Sequence, residues 1–223
     1  MPIIRPKADV GYCELDRRLI FLDVRRDRYL QIAPDLEMSF KRICASNENV
    51  DPKLASSLLQ TGLFETVPED CPARCTGHLI RPTRAIVADL RKATTSKSIG
   101  HWIRAVALLA VFHGFARRKS LKSLISLATF LSKNRILRVR SGNRDTLLAE
   151  FGCAMLLFRR KDRCLPDALA LYSFLAAAGY RVQITFGVQR FPFQAHCWVQ
   201  QDDIVLGQDI ENVQAFCPIL AVP

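Results

Sequence analysis

The sequence contains no uninterrupted apolar run of the roughly 18 to 20 residues that a membrane-spanning helix needs, so no integral membrane segment is expected. Its opening, Met1-Pro2-Ile3-Ile4-Arg5-Pro6, lacks the basic-then-apolar order of an export signal. A cytoplasmic location is the expectation. There is no internal repeat and no low-complexity tract, which sets aside solenoids and biased linkers. Disorder is excluded by composition, since 49% of residues are apolar and 24% charged. A chain of 223 residues suits one large domain or two small ones with a real core.

Acidic residues are scarce in one place only. Residues 81–163 carry 19 basic and 4 acidic side chains, while residues 1–80 are net −1 and residues 164–223 net −3. The whole +11 excess therefore belongs to the middle third. Such a stripe is a solvated helical face or an attractor of nucleic acid, a membrane surface or an acidic protein. The eight cysteines (13, 44, 71, 75, 153, 164, 197 and 217) are expected as free thiols in a chain that is not exported. Cys71, Cys75 and His78 form C-x3-C-x2-H, but a closed zinc site wants four ligands. No metal and no cofactor is expected.

Hydrophobic periodicity organises the rest. Val10–Leu15, Leu19–Val24 and Arg28–Ile32 are short apolar-aromatic runs separated by polar breaks, the pattern of three antiparallel strands. Leu36, Phe40, Ile43 and Cys44 fall on one helical face. Asp51-Pro52 opens a second helix and Gly62 closes it. Residues 66–80, with Pro68, Pro72 and Gly77, have linker composition. Helices are expected over 82–94, 98–116, 120–133 and 146–158, the second of them a buried core helix. Leu165–Ala178 is a helix closed by Gly179, followed by strands at Arg181–Val188, Ala195–Val199 and Ile204–Leu206. The whole is α+β.

Chemistry concentrates in the last sixty residues. Cys164 opens a helix just after Arg159-Arg160-Lys161, and both the helix dipole and the cations favour its thiolate. Its backbone N–H, at the helix N-terminus, suits an oxyanion. His196, 32 residues later on a short strand, suits a base toward that thiol. An acid on the next strand would orient the imidazole, and Asp209 follows Ile204-Val205-Leu206-Gly207. Cys197 is expected to pack on the opposite face from His196.

The segments Cys164-Leu165-Pro166, Val182-Gln183-Ile184-Thr185-Phe186-Gly187-Val188 and Pro192-Phe193-Gln194-Ala195-His196-Cys197-Trp198-Val199 together resemble the lasso-peptide leader peptidases. The family's B proteins join a PqqD-like winged helix-turn-helix, a three-stranded antiparallel sheet plus helices that recognises the precursor, to a transglutaminase-like, papain-like cysteine protease domain. The first 65 residues resemble that recognition element. The resemblance implies domains at 1–70 and 86–223 joined by a linker at 71–85. It also implies Cys164 as nucleophile and His196 as base. The family's aspartate stands about twelve residues after the histidine, where this chain has Gln208, with Asp209 one later. Asp209 is the expected acid, with Gln208 as a neutral alternative. The implied partners are a lasso precursor's leader peptide and an ATP-dependent, asparagine-synthetase-like cyclase. The leader would bind as an added strand on the Arg28–Ile32 edge, near Tyr29, Leu30 and Leu58. Two rival readings remain: an acyltransferase or amidase using the same Cys-His pair, and a winged-helix protein binding nucleic acid. Against the latter, the basic residues lie outside the winged-helix segment, so no nucleic acid is expected.

Overall fold

The computed structural model describes residues 3–46, 51–68, 79–91, 99–133, 142–158 and 164–223. The chain divides into two units, Met1–Leu79 and Ile80–Pro223. In the first, β1 (Ile3–Pro6), β2 (Val10–Leu15), β3 (Arg18–Asp23) and β4 (Arg28–Leu30) precede helices α1 (Pro34–Ser46) and α2 (Pro52–Gln60), and β5 (Phe64–Val67) ends it. The strands β2, β3 and β4 form one antiparallel sheet in that order. The β2–β3 connection is two residues, Asp16 and Arg17, both with positive φ (51° and 63°), the backbone twist that tight hairpins need. At the next turn the Asp23 carboxylate accepts the Arg25 and Arg26 N–H groups at 3.0 and 3.1 Å.

Aromatic packing closes this unit. Phe40 of α1 meets Tyr12 edge-on at 5.1 Å and lies 5.8 Å from Phe21 and 5.0 Å from Phe64. Asp51 caps α2 by accepting the Lys53 N–H, with Pro52 in the first turn. Gly62, at φ +76°, turns the chain into β5. Buried Glu37 ties α1 to the hairpin, accepting the Leu19 N–H at 2.8 Å and the Arg18 guanidinium at 3.0 Å. The pairing of β1 with β5 has no local signal in the sequence. Its two four-residue strands lie at opposite ends of the unit, and only the closed core brings them together.

The second unit holds β6 (Arg84–Ile86), α3 (Ile99–Phe115), α4 (Leu121–Lys133), α5 (Arg144–Met155), a 3₁₀ turn (Leu156–Phe158) and α6 (Cys164–Ala177). It continues with β7 (Gln183–Gln189), β8 (Gln194–Gln201), β9 (Ile204–Leu206), α7 (Glu211–Gln214) and β10 (Cys217–Val222). The sheet runs β10-β7-β8-β9-β6, antiparallel except for β6 alongside β9. The helix expected over 82–94, and the linker expected to 85, are both corrected by β6. Its partner lies some 120 residues away. Asp203 fixes the pair: its carbonyl accepts the Thr83 and Arg84 N–H groups at 2.9 and 3.2 Å, and its carboxylate meets Arg84 Nη2 at 2.7 Å. That non-local pairing overrides the helical propensity of the segment.

Helix α6 is the centre of this unit. Leu169, Ala170, Phe174 and Leu175 are fully enclosed, and α3, α4, α5 and β8 all pack on it. Gly179, at φ +93°, ends the last turn as the Tyr180 N–H reaches the Leu175 carbonyl. The expectation that α3 is a buried core helix is corrected. Ala105, Leu108, Leu109 and Phe112 face inward, but Ile99, Ile103 and Phe115 are exposed among the described residues.

Trp198 of β8 is completely buried, and it fits because its neighbour on β7 has no side chain. A Cβ on Gly187 would stand 2.6 Å from Trp198 Cη2 and 3.0 Å from Phe216 Cβ. Gly187 is also the register partner of His196. Gly187→Ala is therefore expected to cost about 1–3 kcal/mol. It should also change the fluorescence of the displaced Trp198, both measurable in thermal unfolding followed by tryptophan emission.

Candidate active site

Cys164 is the first residue of α6, so its side chain stands at the positive end of the helix dipole. From the sheet, His196 of β8 hydrogen-bonds the Cys164 sulfur. The imidazole is held from three directions. Phe216 lies 5.2 Å away ring to ring, Trp198 stacks at 6.1 Å, and His196 Nε2 meets Gln208 Oε1 at 3.0 Å. An amide oxygen only accepts, so Nε2 carries the hydrogen and Nδ1 is left toward the sulfur.

The ring's partner is thus Gln208, not Asp209. Asp209 is exposed, and its carbonyl accepts the Asn212 N–H at 3.2 Å where α7 begins. The cause is Gly207. At φ +80° it leaves the extended conformation directly after β9, so strand alternation no longer decides which side chain faces the ring. The Gly207 N–H is pinned to the Ile86 carbonyl at 2.8 Å, and a Cβ there would lie 3.0 Å from Leu171.

Cys197 corrects a second expectation. It is buried, at 3% exposure, yet it does more than pack: both its thiol and its backbone hydrogen-bond Cys164. The Cys164 thiol is accordingly lowered to about 4, first by the Cys197 thiol and then by His196, against the opposing effect of burial. Cys197 moves the other way, held protonated by donating to Cys164 and by its own burial. For His196 burial acts downward, but the hydrogen bonds to Cys164 and Gln208 prevail and its pKa is raised. At neutral pH Cys164 is therefore a thiolate, beside an imidazole whose hold on its proton is strengthened and above a neutral Cys197 thiol.

A pocket of about 110 Å³ opens beside this group, with Phe151, Met155, Ala168 and Leu171 forming apolar walls around Cys164 and His196. Asp167, also lining it, accepts or shares a proton with His113 Nε2 at 2.8 Å. That bond ties α3 to the first turn of α6 and fixes where the nucleophile's helix begins. His113, 51 residues upstream of Cys164, had no sequence signal. Of the expected leader contacts, Tyr29 and Leu30 stand half-buried on β4, whereas Leu58 is fully enclosed in the core of the first unit and faces no edge. Cys71, Cys75 and His78, and the basic run Arg159–Arg163, lie outside the described residues. Among those described, no group of three metal-ligating side chains occurs.

A helix-borne thiolate, a strand-borne imidazole and an amide acceptor on the turn after the next strand make a cysteine nucleophile with its acid–base partner and orienting group. The family comparison agrees with that class. The model of the transglutaminase-like superfamily matches residues 108–221, from the middle of α3 to β10, slightly more than half of the chain. The chain belongs to the transglutaminase-like superfamily. No match is found among curated proteins or among solved structures.

The thiolate assignment is testable without a substrate. Alkylation of Cys164 by iodoacetamide should titrate with a midpoint near pH 4. Cys197→Ala should move that midpoint upward, because the largest stabilising hydrogen bond is lost. A midpoint at the ordinary thiol value in the unmodified protein would contradict the geometry. Asp209→Asn is expected to leave the titration unchanged.

Proposed function

We propose that this protein is a cysteine peptidase that cleaves the leader from a lasso-peptide precursor before the core is cyclised. The observation that carries the peptidase reading is the Cys164–His196–Gln208 contact chain at the start of α6. In this reading the Cys164 thiolate attacks the carbonyl of the scissile peptide bond, forming a C–S bond. Negative charge gathers on the carbonyl oxygen, near the backbone N–H of Cys164 at the helix N-terminus. The C–N bond breaks as His196 gives its proton to the leaving amine. Water, deprotonated by the now neutral His196, then attacks the thioester. This releases the carboxylate of the leader and restores the thiolate–imidazolium pair. Gln208 keeps the ring facing the sulfur throughout.

The leader-specific part of the proposal rests on the likeness of the sequence to lasso leader peptidases and on one structural support. Among the described residues of the first unit, β4 has a sheet neighbour on one side only, β3. The three-stranded sheet with two helices fits a PqqD-like recognition element. An edge of this kind takes an extended peptide as an added strand through backbone hydrogen bonds, with Tyr29 and Leu30 of β4 at hand. The freed core amine would then pass to an ATP-dependent cyclase.

Cys164→Ala tests the reading. With a lasso precursor as substrate, cleavage is expected to fall by about 10⁴-fold or more, while leader binding, measured by fluorescence anisotropy, stays within about twofold of the parent. Cleavage at the parent rate would remove Cys164 from the reaction. A product mass showing an amine joined to the leader, in place of a free carboxylate, would instead favour acyl transfer from the same thioester. Gln208→Ala is expected to lower kcat on the order of 10²-fold through loss of ring orientation, with KM nearly unchanged.

A further inference from the structure

Acyl chemistry at this site uses one thiol, yet the pocket holds two. Of the six described cysteines, Cys164 and Cys197 alone line it. Cys197 is 3% exposed, and its thiol and backbone both hydrogen-bond Cys164. Two cysteines can be bridged only where their side chains point toward each other. Thiols already joined by a hydrogen bond meet that condition.

The two sulfurs also differ in the way that stepwise oxidation needs. A peroxide reacts with the thiolate form of an accessible cysteine, and Cys164 is both ionised and partly exposed. Cys197 is enclosed and neutral, held protonated first by its hydrogen bond to Cys164 and then by burial. The first of those restraints disappears once Cys164 is no longer an anion. Oxidation of the outer thiol thus frees the inner one to react. A thiolate with no second sulfur at hand goes on from sulfenic to sulfinic acid, which dithiols do not reduce.

We propose that Cys197 is a resolving cysteine, and that it closes a reversible disulfide with Cys164 that switches the nucleophile off in the presence of hydrogen peroxide. The Cys164 sulfur attacks one peroxide oxygen. The S–O bond forms, the O–O bond breaks, and hydroxide leaves to take a proton from solvent as water. Cys164 is now a sulfenic acid and the peroxide is reduced. The Cys197 sulfur then attacks the Cys164 sulfur, forming the S–S bond. The S–O bond breaks, and its oxygen leaves as a second water with the Cys197 proton. A dithiol such as dithiothreitol reverses the result by exchange. None of this depends on which acyl bond Cys164 cleaves, and the readouts below are masses and labelling, with no cleavage assay among them.

The full chain is treated with excess hydrogen peroxide at neutral pH, then mapped by mass spectrometry after tryptic digestion without reduction. Peptide 164–181 is expected joined to peptide 191–223 with the loss of two hydrogens. Cys217 lies on the second peptide too, so fragmentation must place the bond at Cys197. Iodoacetamide labelling of Cys164 should vanish on oxidation and return almost completely with dithiothreitol. Cys197→Ser keeps a hydroxyl that can donate to Cys164 but offers no sulfur to bond. In that variant recovery should fall to roughly a tenth or less, with two oxygens added at Cys164. Cys197→Ala should behave alike, so a folding fault peculiar to one replacement is recognised. Oxygens gained at Cys164 of the parent without a cross-link would overturn the switch. So would a bridge from Cys164 to any other cysteine, or full recovery in both variants.

Discussion

The contact between the first residue of α6 and two consecutive residues of β8 is the constraint on which the second unit turns. Cys164 can meet His196 and Cys197 only if the helix begins at a fixed height above the sheet. The buried face of α6 sets that height, and the Asp167–His113 bond holds the first turn. The strand side is fixed by Trp198, whose ring occupies the space that Gly187 leaves open. Nucleophile and imidazole are therefore positioned by two separate pieces of core packing, with no loop between them and their supports.

The electrostatics follow from that placement. A thiol at a helix N-terminus already favours its anion. Here a second thiol lies beneath it and an imidazole beside it, and the two act differently. Cys197 is enclosed and stays neutral, so it stabilises the anion by hydrogen bonding alone. His196 is raised toward its cation, so it both pairs with the anion and holds a proton ready for a leaving group. The ionised thiol is consequently a property of the resting fold and does not wait for a ligand.

Much of this was legible in the sequence, and the failures have identifiable causes. The hairpin β2–β3, the caps Asp51 and Gly62, and the run from α6 to β9 each follow from local periodicity or turn chemistry. Cys164 and His196 stood out because residue type and element coincided. The missed elements, β1, β5, β6 and β10, are short strands whose partners are distant in sequence, and no window of ten residues contains the reason for them. Asp209 is the expected acid because a carboxylate is the usual orienting group and an irregular strand end can carry it round to the imidazole. The strand does end irregularly, at left-handed Gly207, but the turn there presents Gln208 to the ring. The resemblance puts Leu58 near the leader edge, whereas the aromatic cluster around Phe40 and Phe64 encloses it. The apolar composition of α3 implies full enclosure, but among the described residues only the face of Ala105, Leu108, Leu109 and Phe112 is buried.

Gly207 has a wider meaning for how such a site can vary. Because a turn, and not a strand register, presents Gln208 to the imidazole, that position is uncoupled from the sheet. An exchange of amide for carboxylate there would alter the charge beside the ring while leaving every strand pairing intact. The neutral or acidic character of the orienting group is thus a modular choice, open to drift or to engineering, on a scaffold whose tolerance is spent instead at Gly187 and Trp198.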